Sequence, residues 1–300
     1  MRLHHAVCQI ALAATALFNT SQARDAAPDC ASGPAANAAG TARAALQTPL
    51  RVAGLTAQGQ LVCFRERGGA LHIVGTVQGF EGGDTRLLGI DFRPQDGLLY
   101  GVGDAGGLYR IDTASAVATK VGALTTAPDT AATAFGVDFN PAANALRIVS
   151  STGQNLRQSF ANLGTAMPLA PTAVDVALNN GAGAAVAGVL AAAYTNNDLD
   201  TTTATTLFVL SGASVALQSP ANAGQVVATG ALGVAPTGYA GFDIYSVLRG
   251  NVTVAQRALA TLGDGSASAL YAVDLLHGRA EPVRTLAQPV VAIAVPLNQH

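Results

Sequence analysis

Short apolar runs bounded by turn residues recur along the whole chain. The clearest unit covers residues 87–122, with runs at 89–92, 98–102, 108–112 and 118–122. Gly, Pro and Asp fill the first two intervals, which is typical of tight connections between antiparallel strands. The pattern therefore predicts four consecutive short β-strands.

Imperfect copies of this unit follow it. A Gly-x-Asp sequence opens the unit at Asp91 and recurs at Asp138 and Asp243, with gaps of 47 and 105 residues, about one and two periods. A period of about 45 residues with four strands per repeat is typical of a β-propeller. We therefore predict an all-β propeller of four-stranded blades.

The two ends of the chain predict how the ring closes. Residues 290–297 form a lone apolar strand, and the first sheet, at 50–77, has no opening Gly-x-Asp strand. Pairing the C-terminal strand with the N-terminal sheet completes a fifth blade and leaves no gap. A sixth blade is the alternative if residues 167–180 contain another unit. A β-sandwich or jelly roll is the competing architecture, but it does not require the internal repeat.

The composition agrees with short strands and tight turns. The 300 residues include 33 Gly, which supplies the positive φ of such turns, and the charged fraction is 11%. This is well below the ~25% of average globular proteins. The net charge of -2 is not concentrated in an acidic or basic block. We therefore expect no nucleic-acid partner.

The N-terminus is typical of a secretory signal. A short basic start precedes an apolar run at 6–18, and the Ser-Gln-Ala at 21–23 offers small residues for cleavage. We predict a signal peptide at 1–23, a flexible leader at 24–47 and one propeller domain at 48–300. Export by the general secretory route to the periplasm or the extracellular space follows, with no transmembrane span after cleavage. An uncleaved membrane anchor is the alternative.

Two cysteines, Cys30 and Cys63, remain after the predicted cleavage removes Cys8. An oxidising destination favours a disulfide between them, which would tie the leader to the first sheet. The alternative is two independent thiols, with Cys63 simply a buried strand residue.

The repeated aspartates Asp91, Asp138 and Asp243 are the first candidates for chemistry. On innermost strands their carboxylates would converge on the channel, where oxygen ligands could hold a hard cation such as Ca²⁺. The structural alternative, which we favour, is that each buried Asp accepts backbone N–H bonds from a neighbouring turn. The fourth and closing strands lack this Asp, which breaks any symmetric ring of ligands. No other cofactor is predicted.

The densest polar cluster of the sequence contains Arg147, Gln154, Asn155 and Arg157. An arginine fork with two amides is suited to recognise a carboxylate or sugar hydroxyls. These four residues are our candidate ligand-binding site. The alternative is that they cap strand ends and satisfy loop carbonyls.

Asn196, Asn197, Asp198 and Asp200 are closely spaced oxygen donors. A helix-loop-helix calcium loop needs a Gly at its sixth position and a distal Glu, and neither is present. We therefore expect a solvated loop here.

Other signatures of chemistry are missing from the sequence. The histidines outside the signal, His72, His277 and His300, are scattered, and no pair has metal-ligand spacing. No G-x-S-x-G nucleophile sequence occurs. The chain has no Trp and only 5% aromatic residues, which disfavours strong glycan binding.

Several of the repeated runs resemble a known family. GIDFRPQDGLLYGVGDAGGLYRID, GVDFNPAANALRIVSSTGQNLR, AAAYTNN and GFDI are together similar to the bacterial domain-of-unknown-function family 4394, over roughly residues 55–296. The resemblance implies an exported protein with propeller-like β structure and unestablished activity. It implies no reaction.

These observations favour a non-catalytic exported propeller that binds a small molecule or a protein through loops at one end of the channel. A hydrolase or lactonase-like enzyme that uses channel carboxylates, with or without a divalent metal, is the alternative. A structural or adhesive module is the third hypothesis. We expect a monomer. Because propellers host many functions, the fold alone does not select among these hypotheses.

Overall fold

The computed structural model describes residues 30–33, 46–200, 202–263 and 266–299. In these ranges the chain forms twenty β-strands, arranged as five antiparallel sheets of four strands, the blades. Every blade except the first is built from four strands that are consecutive in the sequence.

The strands are numbered in chain order. The first blade contains β1 (Arg51–Thr56), β2 (Gln60–Arg65), β3 (His72–Thr76) and the last strand, β20 (Val290–Ala294). The second contains β4 (Leu87–Phe92), β5 (Leu99–Gly103), β6 (Gly107–Ile111) and β7 (Ala118–Ala123). The third contains β8 (Phe135–Asn140), β9 (Ala145–Ser150), β10 (Asn155–Ser159) and β11 (Ala173–Val174). The fourth contains β12 (Val189–Tyr194), β13 (Leu207–Ser211), β14 (Ser214–Gln218) and β15 (Val226–Ala231), with a 3₁₀ turn at Ala221–Ala223. The fifth contains β16 (Ala240–Arg249), β17 (Val252–Gly263), β18 (Ser268–Val273) and β19 (Ala280–Leu286).

The blades stand around a common axis. The innermost strands β20, β4, β8, β12 and β16 pack against one another in that cyclic order and close the ring. β20 pairs antiparallel with β1, with Ile293 opposite Gly54. The protein is therefore a five-bladed β-propeller, and the predicted closure by the C-terminal strand is confirmed.

Residues 167–180 do not form a sixth blade. Their only strand is β11, which is two residues long and lies at the outer edge of the third blade. Pro168 and Pro171 lack the backbone N–H that a regular ladder needs, so this segment cannot supply further strands. The alternative count of six blades is therefore wrong.

Large apolar side chains fill the spaces between blades. Between the second and third blades, Tyr100, Phe139 and Phe160 meet edge to face, with ring centroids 4.9 to 5.7 Å apart. Edge-to-face aromatic contacts add to the free energy gained from burial. Each blade thus buries its faces against its neighbours, and the ring holds the innermost strands in register.

A disulfide joins Cys30 to Cys63 on β2, with Cα atoms 5.7 Å apart. Beside it, the Gly33 N–H donates to the Leu297 carbonyl at 2.9 Å, and the Ser32 hydroxyl accepts from the Leu297 N–H at 3.1 Å. This short part of the predicted leader is therefore held against the first blade. The predicted signal peptide and the rest of the leader up to residue 45 lie outside the described residues. Within the described ranges, no helix has the length and apolar character needed to cross a bilayer.

Candidate functional site on the propeller axis

Equivalent residues of the five innermost strands form successive layers along the axis. At the end where these strands begin, a cavity of about 230 Å³ is lined by residues of all five blades, including Leu88, Phe135, Leu190, Ala240 and Val291. The next layer consists of small residues, namely Gly89, Gly136, Ala191, Gly241 and Ala292. The axial cavity here shrinks to about 10 Å³, enough for one water molecule at most. The axis is therefore closed by protein at this layer.

The glycines of this layer are required because the strands approach closely. A Cβ atom at Gly136 would lie 2.5 Å from the backbone nitrogen of Ala192, and one at Gly241 would lie 2.8 Å from that of Ile293. Both contacts cross from one blade to the next. The Gly of the repeated Gly-x-Asp sequence therefore permits a ring as tight as five blades.

The aspartates follow directly after this layer. Asp91, Asp138 and Asp243 are 7%, 4% and 5% exposed, and one carboxylate oxygen of each lies within 4.8 Å of the other two. The equivalent positions of the fourth and first blades are Ala193 and Ala294. The structure thus brings the three predicted aspartates together, and we call them the aspartate triad.

The triad accepts backbone N–H groups from all five blades. The inner edge of each innermost strand has no neighbour in its own sheet, so its N–H groups need partners from elsewhere. Asp91 accepts two of these N–H groups, Asp138 accepts one and Asp243 accepts two. The donors are the residues that follow the Asp position in each blade, Phe92, Phe139, Tyr194, Ile244 and Val295. Three carboxylates therefore satisfy a complete ring of five donors.

Three of these bonds connect neighbouring blades. Asp91 on β4 binds the N–H of Phe139 on β8, and Asp138 binds that of Tyr194 on β12. Asp243 on β16 binds that of Val295, just after β20. These bonds correspond to the structural role that we favoured, but four of the five donors belong to innermost strands and the fifth, Val295, directly follows one, so none comes from a turn. The position of these N–H groups depends on how blades meet, which sequence patterns do not reveal.

Burial and mutual repulsion disfavour the charged form of the triad. Burial raises the pKa of Asp91 well above its usual value, and the Asp243 carboxylate adds to the effect. The pKa of Asp138 is also raised well above its usual value, by burial and then by Asp91 and Asp243. Burial raises the pKa of Asp243 to about 7. The triad therefore retains protons that an exposed carboxyl would have released at neutral pH.

The accepted N–H bonds limit what the triad can bind. Ca²⁺ takes about six to eight oxygen ligands, usually from carboxylates, carbonyls and water. Five of the six triad oxygens already accept a backbone N–H. The donor set therefore fits a bonded structural core better than a calcium cage.

The predicted ligand-binding residue Arg147 lies inside the protein, 2% exposed. Its guanidinium donates to the side chains of Asn155 at 2.8 Å, Asp175 at 2.6 Å, Asn222 at 2.6 Å and Tyr194 at 3.3 Å. Asn222 and Tyr194 belong to the fourth blade, so this network joins the third blade to the fourth.

The other three residues of this cluster also have partners within the protein. Gln154 accepts the Asp129 N–H at 2.9 Å and donates to the Ala127 carbonyl at 3.0 Å. Asn155 donates to two backbone carbonyls, and Arg157 contacts the Asp175 carboxylate at 3.2 Å. These contacts correspond to the structural alternative, in which the side chains satisfy loop groups. Their role in ligand binding stays a prediction.

A pocket of about 450 Å³ opens at the other end of the axis, where the innermost strands lead into their following loops. We call it the end pocket. Its apolar lining residues are Pro94, Leu199, Leu248, Val252 and Leu297. Its polar lining residues are Asn197, Asp198, Asp200, Ser246, Asn251 and Asn298. Four of the five blades contribute residues to the end pocket. A separate groove of about 690 Å³ lies along the flank of the second blade.

Two segments form the walls of the end pocket. β16 and β17 are 10 and 12 residues long, so their hairpin extends beyond the ring. The other innermost strands have five or six residues. The second wall is the loop that follows β12, residues 195–200, which contains the four closely spaced oxygen donors noted in the sequence.

Asp198 connects this loop to the hairpin through a hydrogen bond. Its carboxylate accepts the Asp200 N–H at 3.1 Å and the Thr253 N–H at 3.3 Å, and the residue is 6% exposed. The expectation of a solvated loop is therefore wrong at this residue. Pattern reasoning missed the contact because Thr253 is distant in sequence and belongs to another blade.

Two residues that line the end pocket, Leu199 and Asn298, have a positive φ. Leu199 has φ of 61°, and its side chain is 46% exposed toward the end pocket. Asn298, on the opposite side, has φ of 55°. For a residue other than Gly, Asn or Asp, the left-handed region costs about 1–2 kcal/mol, so the strain lies at Leu199. Such strain concentrates at functional sites. The sequence pattern places Val252 at the start of a repeat strand and Leu199 in a loop, but neither position indicates that the residue lines a pocket at the end of the axis.

Several solved structures are similar to the chain at low identity. The extracellular domain of the putative hybrid two component system BT4673 from B. thetaiotaomicron is 13% identical, with 81% of this chain and 29% of that chain covered and a TM-score of 0.37. TolB from Acinetobacter baumannii is 12% identical, with 83% and 67% covered and a TM-score of 0.42. A putative 6-phosphogluconolactonase from Bacteroides uniformis is 13% identical, with 81% and 72% covered and a TM-score of 0.35.

These similarities carry no argument about function, and the chain spans less than a third of the first of these proteins. No curated protein matches the sequence. A family model does match, over residues 60–294, which is most of the chain. The protein therefore belongs to the family described as domain of unknown function DUF4394.

Proposed function

We propose that this protein is an exported binding module without catalytic activity, and that it holds a small ligand in the end pocket. The observation that carries the proposal is the construction of this pocket. A concave surface of about 450 Å³ combines apolar and polar residues from four blades. Small-molecule sites have this size and mixed character.

The remainder of the axis supports a binding role over a catalytic one. The constriction at the glycine layer leaves a cavity of about 10 Å³, which admits no substrate. Beyond it, the triad carboxylates are buried and accept backbone N–H groups. Carboxylates that hold the ring together in this way are poorly placed to act on a substrate.

Export is supported by the disulfide between Cys30 and Cys63. Disulfides persist in oxidising compartments and are rare in the cytosol. The predicted signal peptide agrees with the same destination, the periplasm or the extracellular space.

A hydrolase or lactonase-like enzyme is the second candidate function. The raised pKa values of the triad favour it, because strongly perturbed pKa values cluster at catalytic sites. It ranks second because structural networks also perturb pKa values, and the backbone bonds provide such a network.

The natural chain contains no tryptophan. The experiment uses two variants, each of which introduces one. Val252 lines the end pocket and is 59% exposed, so Val252→Trp fills the pocket without disturbing the core. Val254 is 45% exposed on the same strand but does not line the pocket, so Val254→Trp is the matched control.

A panel of small polar and amphipathic compounds is screened by thermal shift against wild type and both variants. We expect at least one compound to raise the unfolding temperature of wild type and Val254→Trp but not of Val252→Trp. Stabilisation of Val252→Trp as large as that of wild type, or no stabilisation of wild type by any compound, would contradict the proposal.

A further inference from the structure

The charged residues that line the end pocket are all acidic. Among the twelve residues that line it, two are aspartates and none is Lys, Arg or His. Arg249 lies between Leu248 and Gly250 in the hairpin but is not among the lining residues. An anionic ligand would therefore meet carboxylates and no compensating cation, and a cationic ligand is favoured instead.

The two aspartates differ in their availability. Both carboxylate oxygens of Asp198 accept backbone N–H groups. Asp200 is exposed, and its Oδ1 accepts the N–H and hydroxyl of Thr202 at 2.8 and 2.7 Å. These hydrogen bonds lower the pKa of Asp200, so it carries its charge at neutral pH. Among the residues that the structure describes, none donates a hydrogen bond to its second oxygen, which is thus left for a ligand cation.

Apolar surface lies beside this carboxylate. Leu199 is next to Asp200 in the loop, and Val252 belongs to the facing hairpin; both are exposed in the same pocket. A hydrocarbon chain placed against these two side chains would remove apolar surface from water on both partners. The pocket therefore offers one anionic group and an aliphatic wall.

We propose that the end pocket selects an aliphatic primary amine, with its ammonium group at Asp200 and its hydrocarbon chain against Leu199 and Val252. This inference rests on the proposed function and adds the chemical class of the ligand. A carboxylate of equal length would be repelled by Asp198 and Asp200, and an uncharged alcohol would keep only the apolar contact.

The test compares three probes of equal chain length, n-hexylammonium, 1-hexanol and hexanoate, by ligand-observed NMR titration of the whole protein. We expect hexylammonium to bind about 2- to 5-fold more tightly than hexanol, as one partly exposed ion pair allows. Hexanoate should bind more weakly than hexanol. The preference for the amine should shrink in 1 M NaCl, where the Debye length falls to about 3 Å.

Two variants test the role of Asp200. Asp200→Asn keeps the oxygen that Thr202 uses and removes the charge, so hexylammonium should then bind only as tightly as hexanol. Asp274 is likewise exposed and accepts turn N–H groups, but it lies in another part of the fifth blade, so Asp274→Asn should leave the preference unchanged.

Equal binding of amine and alcohol to wild type, or an unchanged preference in Asp200→Asn, would overturn the inference. If Val252→Trp still weakens both probes in that case, the proposed binding site stands and only the ligand class is wrong. If Val252→Trp weakens none of the probes, the proposed function fails with the inference.

Discussion

The Asp91 carboxylate accepts the backbone N–H of Phe139 at 2.7 Å, across the boundary between the second and third blades. The same carboxylate accepts the N–H of Phe92 on its own strand at 2.7 Å. One side chain thus satisfies two inner-edge donors that no β-ladder reaches. In the part of the chain that the structure describes, the five sheets share no ladder, and these bonds join neighbouring innermost strands directly.

Removing Asp91 should therefore cost more stability than removing Asp138. Asp91→Ala leaves two buried N–H groups without an acceptor, and each such group costs about 1–3 kcal/mol. Asp138→Ala leaves one. We expect Asp91→Ala to lower the free energy of unfolding by about 2–6 kcal/mol and Asp138→Ala by about half as much. Urea unfolding at pH 5, followed by circular dichroism, measures both; equal losses would contradict the assignment of donors.

The triad should make the protein less stable as pH rises. Its folded-state pKa values are raised above the ~3.9 of an unfolded chain, so the folded protein keeps protons that the unfolded chain has released. The resulting stabilisation is fully present below about pH 4 and is lost as pH rises through the folded pKa, about 7 for Asp243. Each proton contributes up to about 1.4 kcal/mol per pH unit in this window.

The pH effect is isolated by Asp243→Asn. We expect a less steep fall in the free energy of unfolding between pH 5 and pH 8 in this variant than in wild type. Parallel curves would show that the folded-state pKa of Asp243 is not raised.

The glycine layer should tolerate no added methyl group. Gly136→Ala places a Cβ 2.5 Å from a backbone nitrogen of the next blade, and such overpacking costs about 1–3 kcal/mol or more. Gly75→Ala on β3 is the control, because its Cβ would meet ordinary contacts at 3.5 Å. Thermal unfolding should show a clear loss for Gly136→Ala and little change for Gly75→Ala. A similar loss of stability in both variants would contradict the close approach of the strands at Gly136.

Arg147 should be far more important to stability than Arg157, although both bind Asp175. Arg147 is 2% exposed and Arg157 is 35% exposed at the side chain. Breaking a buried ion pair costs about 3–5 kcal/mol, whereas pairs at the surface contribute about 0–1 kcal/mol, so the partly exposed Arg157 pair should contribute less than the Arg147 pair. Urea unfolding of Arg147→Ala and Arg157→Ala compares them directly. Should Arg147→Ala cost under 1 kcal/mol and weaken binding of hexanoate, the predicted ligand role would gain support instead.

Much of the fold was predictable because propeller strands are local. The runs of the second blade and the repeated Gly-x-Asp marked four strands and a period of about 45 residues. The unmatched strand at 290–297 predicted closure, since an exposed inner edge in the first sheet would be unsatisfied. The count of blades needed the structure, because the sequence pattern does not show that the two-residue strand β11 pairs with β10 as the outer edge of the third blade.

The site was less predictable, because its contacts join blades that are distant in sequence. Asp198 looked like a solvated loop residue, yet it binds the N–H of Thr253, 55 residues away. The sequence suggested that the Arg147 guanidinium binds a ligand, but it donates hydrogen bonds to Tyr194 and Asn222 of the fourth blade. A polar residue in a repeat protein is easily assigned to solvent or ligand when its true partner is in the next repeat.

The structural role of the triad is tested most directly by measuring whether a metal ion stabilises the folded protein. Wild type is unfolded thermally in excess EDTA and again in millimolar Ca²⁺, Mg²⁺ or Mn²⁺. A metal at ~100 times its Kd adds about 2.7 kcal/mol, a rise of several degrees for a domain of this size. Because five of the six triad oxygens already accept a backbone N–H, we predict the same unfolding temperature in every condition. A rise of several degrees that Asp91→Asn, Asp138→Asn and Asp243→Asn each reduce would contradict the structural role and make the triad a metal site.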